Sequence, residues 1–460
     1  MELIKLGRKK KEVEIKIEEN IFPNKSVGWY EDQKVIFKGG IKGQKVKVRF
    51  KRRKKNHAEA RLIEVLEHSP LEKNLGKYTE DDLGSCPYGT LKYEDELELK
   101  ENLVIDLFKR KEIEGFEFQG IEESPNEFAY RNKMEYTFGD EEKGGPIVLG
   151  LHKKGRFYEM ADTDGCDLVD SDFTDIRKSV MYYFREKGSI FYNRKRHGGF
   201  LRHLVVRKAH STGQIMVNLV TTSQDTLDEE EFKGLLLGLE SLKGEITGIL
   251  HTINDGVADT VQADELKVIY GKDYIVEEIL GLKFNISPFS FFQTNTFGAE
   301  KLYSIVREFI GEGEKDTVFD LYSGTGTIAQ IVSPVAKKVI GIEIVEEAVE
   351  KARENMKLNS LENIEFIAED VLKAVDNIKE QPDLIIIDPP RQGIHPKAID
   401  KIIDFDPEKF VYLSCNPVTL AKDIKVFEER GYRLEKMKMM DMFPRTPHIE
   451  CVIGMQRKDT

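Results

Sequence analysis

The chain has 460 residues, 40% of them hydrophobic and 33% charged, a globular composition with enough length for two to four domains. No run approaches the roughly 18 apolar residues of a membrane-spanning helix, and the opening MELIKLGRKKKEVEI lacks a signal-peptide core, so a cytoplasmic chain with no membrane partner is expected. The net charge of −12 argues against a nucleic-acid partner only if it is evenly spread, and it is not: residues 1–70 hold 19 Lys and Arg against 10 Asp and Glu.

Residues 1–68 alternate apolar and polar side chains, as in Val13-Glu14-Ile15-Lys16-Ile17 and Val46-Lys47-Val48-Arg49-Phe50, with Gly39-Gly40 and Gly43 between runs. Short strands with glycine turns predict a small β-barrel of the oligonucleotide-binding kind. Its last strand runs into Arg49–Lys55, six cations in seven residues, which on a barrel edge points to phosphate contact. Residues 69–90 read as irregular, and Leu91–Ile113 as a helix that packs on the C-terminal domain. The stretch to 285 reads as an antiparallel α+β domain. In it Arg131, Lys133, Lys153, Lys154, Arg156, Arg202 and Arg207 either face RNA or are ordinary surface cations.

From 286 the chain changes character. Thr317-Val318-Phe319 leads into Asp320, then a turn with Gly324 and Gly326, then the apolar Ile328, Ala329, Ile331 and Val332. That order is strand, tight turn, helix: the first unit of a doubly wound sheet, whose ligands sit beyond the carboxyl ends of its strands. Later apolar runs end in Glu343, near Asp370 and at Asp388. An acid closing the second strand is the usual partner of a ribose diol, and the turn lacks the GxGxxG spacing of a dinucleotide site. A nucleoside without pyrophosphate fits, and S-adenosylmethionine is the natural candidate. Asp388 belongs with it at a strand end, Asp370 is placed to reach an adenine amino group, and Tyr322 and Thr327 lie in the turn, near a methionine end. Phe410-Val411-Tyr412-Leu413 forms a further strand that ends in Ser414-Cys415-Asn416-Pro417, on the ligand side of the sheet, where a cysteine can present a thiolate.

Phe292-Gln293-Thr294-Asn295, the Asp320–Gly326 turn, Asp388-Pro389-Pro390-Arg391, Ser414-Cys415-Asn416-Pro417 and His448-Ile449-Glu450 together resemble the motifs of the RNA uracil-5 methyltransferases. Val35–Pro70 resembles the TRAM domain, a small RNA-binding barrel. The nearest branch is the TRAM-containing 23S ribosomal RNA type, related to the tRNA 5-methyluridine enzymes. The resemblance implies a multi-domain α/β chain: a TRAM-like barrel over 1–68, a central α+β RNA-binding domain over 69–285, and a Rossmann-like methyltransferase domain over 286–460, acting as a monomer. It implies Cys415 as nucleophile and Glu450 as base, with Gln293, Tyr322, Glu343 and Asp388 holding S-adenosylmethionine. The chemistry has a reason to need them. Carbon-5 of uracil is a poor nucleophile until a thiolate adds to carbon-6, and a base must then remove the carbon-5 proton. The target base must be flipped out of its stack to meet the thiol.

Many members of that family carry an iron–sulfur cluster on four cysteines. Here Cys86 and Cys166 fall on two of those positions, while Lys77 and Leu83 occupy the others, so neither a cluster nor any other metal is expected. Cys415 and Cys451 complete the four cysteines, a reducing-compartment usage. Three other readings stay open. One is a tRNA substrate with the same chemistry. Another is an amino-methylating enzyme, whose DPPY-like motif has an aromatic in place of Arg391 and which needs no cysteine. The last is a non-catalytic ribosome-assembly factor.

Overall fold

The computed structural model describes residues 11–73, 75, 86–153, 156–257 and 264–458. Three sheets dominate it. The first, over Glu12–Glu67, has six strands, and alternation decides its inner face: Val13, Ile15, Val35, Phe37, Val46 and Val48 are buried while their neighbours face water. The basic run does not close this module. It lies in the strand Lys45–Arg53, which pairs with a later strand, Ala58–Glu67. Half of its cations are matched within the module: Arg49 pairs with Glu12 at 2.6 Å, and Lys54 (2.5 Å) and Arg52 (3.6 Å) with Glu59. Among the described residues Lys51, Arg53 and Lys55 have no such partner and are exposed.

The central sheet has seven strands between Lys133 and Gly271, with the helices Ser171–Glu186 and Glu229–Leu237 packed against it. Two of the cations read as either RNA-facing or ordinary surface residues are instead buried in joints. Arg202 donates to the carbonyls of Asn254 (2.8 Å) and Gly256 (2.6 Å), and Arg207 donates to those of Pro288 (3.2 Å) and Ser290. A guanidinium can satisfy several carbonyls at once, and these two hold chain segments together. Lys133 and Lys153 pair with Glu135 and Glu141. Lys154 lies outside the described residues, as does the side chain of Arg156.

The third sheet has eight strands, in the order Ile364–Ala368, Ala336–Glu343, Lys315–Leu321, Leu384–Ile387, Lys409–Ser414, Glu450–Arg457, Tyr432–Met440, Glu117–Glu122. The first five are parallel, and the continuous apolar runs Val339–Ile342 and Leu384–Ile387 follow from burial on both faces. Strand order reverses between Lys315–Leu321 and Leu384–Ile387, which opens a crevice at their carboxyl ends. The edge strand Glu117–Glu122 comes from the stretch assigned by sequence to the central region, yet it pairs in parallel with Tyr432–Met440. The helix preceding it, Tyr93–Lys109, packs Leu103, Val104 and Phe108 against the same core as Ile385, Phe410 and Tyr432, and Phe22 of the first module joins them. No helix among the described residues is long and apolar enough to cross a membrane.

Candidate active site

A cavity of about 840 Å³ occupies the crevice where the strand order reverses. Glycine shapes its floor. Gly324 has φ 53° and nothing within 4 Å of where a Cβ would stand, so the backbone there lies open to a ligand. Gly326, at φ 74°, packs under the Phe366 ring, where a Cβ would come within 2.5 Å of Cζ. Glu343 ends the second strand. Its Oε2 accepts from Gly324 N–H and its Oε1 from Val345 N–H, each at 3.0 Å, which fixes the carboxylate at the cavity wall with lone pairs to spare. Ile344 and Val345 beside it are more than half exposed, an apolar wall for a flat ring.

Across the cavity, Asp388 closes the strand Leu384–Ile387, and burial alone pushes its carboxyl up to about 7. The chain then turns through Pro389 and Pro390 to Arg391. The strand Lys409–Ser414 delivers Cys415 at its end. Ser414 Oγ accepts from Asn416 N–H at 3.1 Å, and Asn416 caps the next helix while its side-chain amide donates to the Arg391 carbonyl at 2.8 Å. One asparagine thus ties the cysteine loop to the arginine loop. Ser414 pairs with Cys451 as the last rung of the antiparallel ladder, which brings Cys415, just past one strand's end, and Glu450, at the other strand's start, to the same cavity wall.

The electrostatics of this corner are set by burial. The Cys415 thiol is pushed up to about 11 by burial and by Glu450, with Arg391 opposing. Glu450 is held well above the usual carboxylate range by burial and by Asp388, and again Arg391 opposes. His448 in the same wall is held down to about 4 by burial and by Arg391, so it is neutral at pH 7.

Gln293, Tyr322, Glu343, Asp388, Cys415 and Glu450 therefore share one cavity. Two expected residues are absent from its wall. Asp370 caps the helix Val371–Asn377, its Oδ1 accepting from Leu372 N–H at 2.8 Å, and Thr327 is buried at the start of Thr327–Val332. An acid before a helix is drawn to its free N–H groups, and that use competes with ligand binding. The amide loop is clamped from the central sheet: Asn132 donates to the Gln293 carbonyl at 2.9 Å and to Thr296 Oγ1 at 3.0 Å. Asn132 and Arg207 are positioning groups that the sequence alone did not mark for this role. Among the described residues no three His, Cys, Asp or Glu side chains converge as metal ligands; Cys86 and Cys166 share an apolar cluster with Tyr130 and Leu168, and Lys77 and Leu83 lie outside the described residues.

The donor set suits S-adenosylmethionine. Glu343 is shaped for a diol, the Ile344–Val345 wall for an adenine face, and the open backbone at Gly324 for a close-lying chain. Comparison with known proteins agrees. The family model described as tRNA (uracil-5-)-methyltransferase matches residues 256–458. An uncharacterized RNA methyltransferase of Clostridium tetani is 52% identical over 98% of this chain and 99% of its own length. Another, from Caldanaerobacter subterraneus subsp. tengcongensis, is 48% identical over 96% and 97%. Among solved structures, the Pyrococcus abyssi tRNA (uracil-54, C5)-methyltransferase in complex with S-adenosyl-L-homocysteine superposes with a TM-score of 0.75 at 26% identity, covering 96% of this chain and all of that one. With the crevice, the acids and the cysteine in place, the chain belongs to the S-adenosylmethionine-dependent RNA uracil-5 methyltransferases.

Proposed function

We propose that this enzyme forms 5-methyluridine in 23S ribosomal RNA, with Cys415 as nucleophile and Glu450 as base. The observation that carries the reading is that Cys415 and Glu450, each next to the terminal Ser414–Cys451 pair of one strand ladder, line a single cavity with Asp388 and Arg391. The strand Lys409–Ser414 aims Cys415 Sγ into the cavity, where it adds to carbon-6 of a flipped uracil and leaves carbon-5 electron-rich. Bound S-adenosylmethionine, held by Gln293, Tyr322, Glu343 and Asp388, supplies an electrophilic methyl group that carbon-5 accepts. Glu450 then takes the carbon-5 proton, the carbon-5–carbon-6 double bond re-forms, and Cys415 leaves as thiolate. A buried carboxylate with a raised proton affinity suits that step, because a base works best when its pKa approaches the working pH.

The choice of ribosomal RNA rests on the likeness of residues 35–70 to a TRAM domain, and residues 1–68, 69–285 and 286–460 are taken as barrel, central and catalytic domains. A tRNA substrate is the second reading, favoured by the full-length likeness to a tRNA uracil-54 enzyme. The test supplies unmodified 23S rRNA and tRNA with labelled S-adenosylmethionine to wild-type, Cys415→Ala and Glu450→Gln proteins, and locates product by nuclease digestion and mass spectrometry. Expected are methyl on carbon-5 of an rRNA uridine, its loss in Cys415→Ala, and an RNA adduct trapped in Glu450→Gln. Label in tRNA would replace the substrate, and transfer unaffected by Cys415→Ala would overturn the mechanism.

A further inference from the structure

The helix Tyr93–Lys109 buries two charged side chains one turn apart, Glu96 and Lys100, at 0% and 1% exposure. Residues four apart share a helix face, and this face points into the protein, where an unpaired charge is strongly disfavoured. Their partners come from the other end of the chain. Lys100 Nζ stands 2.7 Å from Glu96 Oε1 and 2.8 Å from Asp441 Oδ1, and it also donates to the Phe443 carbonyl at 3.3 Å. Glu96 Oε1 accepts from Arg445 N–H at 2.7 Å, and its Oε2 lies 3.4 Å from Arg445 Nη1. Arg445 Nη1 also donates to the Leu91 carbonyl at 3.0 Å, and its Nη2 reaches Glu127. Asp441 and Arg445 are buried as well, so the four charges balance in a dry site.

The segment they hold, 441–449, links the strand Tyr432–Met440 to the strand that begins at Glu450. Its backbone is caught at further points: Asn295 donates to the Met442 carbonyl at 3.0 Å, Tyr130 to that of Pro444 at 3.0 Å, and Tyr88 N–H to that of Arg445 at 3.1 Å. Arg445 itself sits at φ 69°, a conformation that an arginine keeps only when its surroundings impose it. Glu450 follows at once. Among the described residues no hydrogen bond orients its carboxyl, so its aim is inherited from this segment and from the ladder.

Resting on the reading of Glu450 as the eliminating base, we infer that Glu96, Lys100, Asp441 and Arg445 are positioning residues for it: the tetrad holds 441–449 so that the Glu450 carboxylate meets the carbon-5 proton. The step it serves breaks the carbon-5–hydrogen bond, gives the proton to Glu450, returns the electron pair to the carbon-5–carbon-6 bond and expels Cys415 Sγ as thiolate. The strand Lys409–Ser414 delivers Cys415, and Gln293, Tyr322, Glu343 and Asp388 all lie outside 441–449, so loosening the segment stalls elimination first and leaves RNA bound to the protein.

The test is the double variant Lys100→Met/Asp441→Asn, which removes the pair without leaving a lone buried charge between them, with Glu450→Gln as control. Should the double variant not fold, Asp441→Asn alone keeps the side-chain shape and carries the same readout. The substrate is whichever of unmodified 23S rRNA and tRNA the wild type methylates, and the readouts are turnover, covalent adduct on a denaturing gel, S-adenosylmethionine affinity and thermal melting. Expected are a cooperative melt, cofactor affinity within about twofold of wild type, turnover down at least tenfold and adduct up at least tenfold. A fall in turnover without adduct, while Glu450→Gln does trap adduct, would overturn the positioning role and leave the base assignment standing. If Glu450→Gln traps none, that assignment falls and this inference with it.

Discussion

Cys415 sits where its proton is hard to remove. With the thiol near 11, roughly one molecule in 10⁴ holds a thiolate at pH 7, and on the proposed mechanism only that form adds to uracil. Single-turnover methylation should therefore rise about tenfold per pH unit between pH 7 and 9; a flat profile under rapid mixing would show that another step limits the reaction. Two of the charged neighbours that act on the thiol make opposite predictions. Arg391→Met removes the opposing cation and should move the rise to higher pH by about one unit, while Glu450→Gln removes the anion and should move adduct formation to lower pH by a similar amount. In the sequence, the apolar strand before Cys415 pointed to the ligand side of a sheet, but the assignment of Glu450 needed the family resemblance. Nothing in a linear chain tells that residues 415 and 450 oppose each other. Arg391 was legible as part of a motif, and its position beside the thiol was not.

At the level of elements, the strand–turn–helix around Gly324 and Gly326 was readable because its hydrophobic runs and glycines follow one another directly. The reason for Gly326 was not: the ring it packs under belongs to Phe366, on a strand two crossovers later. Gly326→Ala brings a Cβ within 2.5 Å of that ring and 2.9 Å of Ala352 Cβ, in a left-handed conformation. It should lose about 2–4 kcal/mol of stability and at least tenfold in S-adenosylmethionine affinity, checked by denaturant titration and calorimetry. An intact affinity would show that the turn relaxes without disturbing the cofactor wall. The edge strand Glu117–Glu122 escaped notice for a related reason. Its sequence, EFQGIE, has no clean alternation, because it is half-buried from Phe118 onward and pairs with a strand some three hundred residues away.

Across the whole molecule, charge is distributed less simply than the basic first seventy residues suggest. Ion pairs within the first module engage Arg49, Arg52 and Lys54, which leaves Lys51, Arg53 and Lys55 as the cations of that run with no such partner among the described residues. Replacing these three by Ala should lower the slope of log affinity for RNA against log salt by about two, since each contact to single-stranded phosphate contributes about 0.7. Anisotropy titrations over a salt series would measure it, and an unchanged slope would place the RNA elsewhere. A bias in composition was visible from the sequence, but ion pairs between strands depend on a register that only the folded sheet defines.

The ladder that sets Cys415 against Glu450 has a consequence for how such a site can change. Their separation belongs to the pairing of Ser414 with Cys451, not to the chain between them. Insertions in the helix Pro417–Glu429 or the turn after it leave that distance alone, and lineages are free to lengthen or trim them. Parity is what the chemistry cannot spare. Dropping one residue from either strand turns one of the two groups to the opposite face of the sheet, while dropping two restores the face and shifts it by about 7 Å. Genetic drift around this pair is thus continuous in loop length and quantised along the strands.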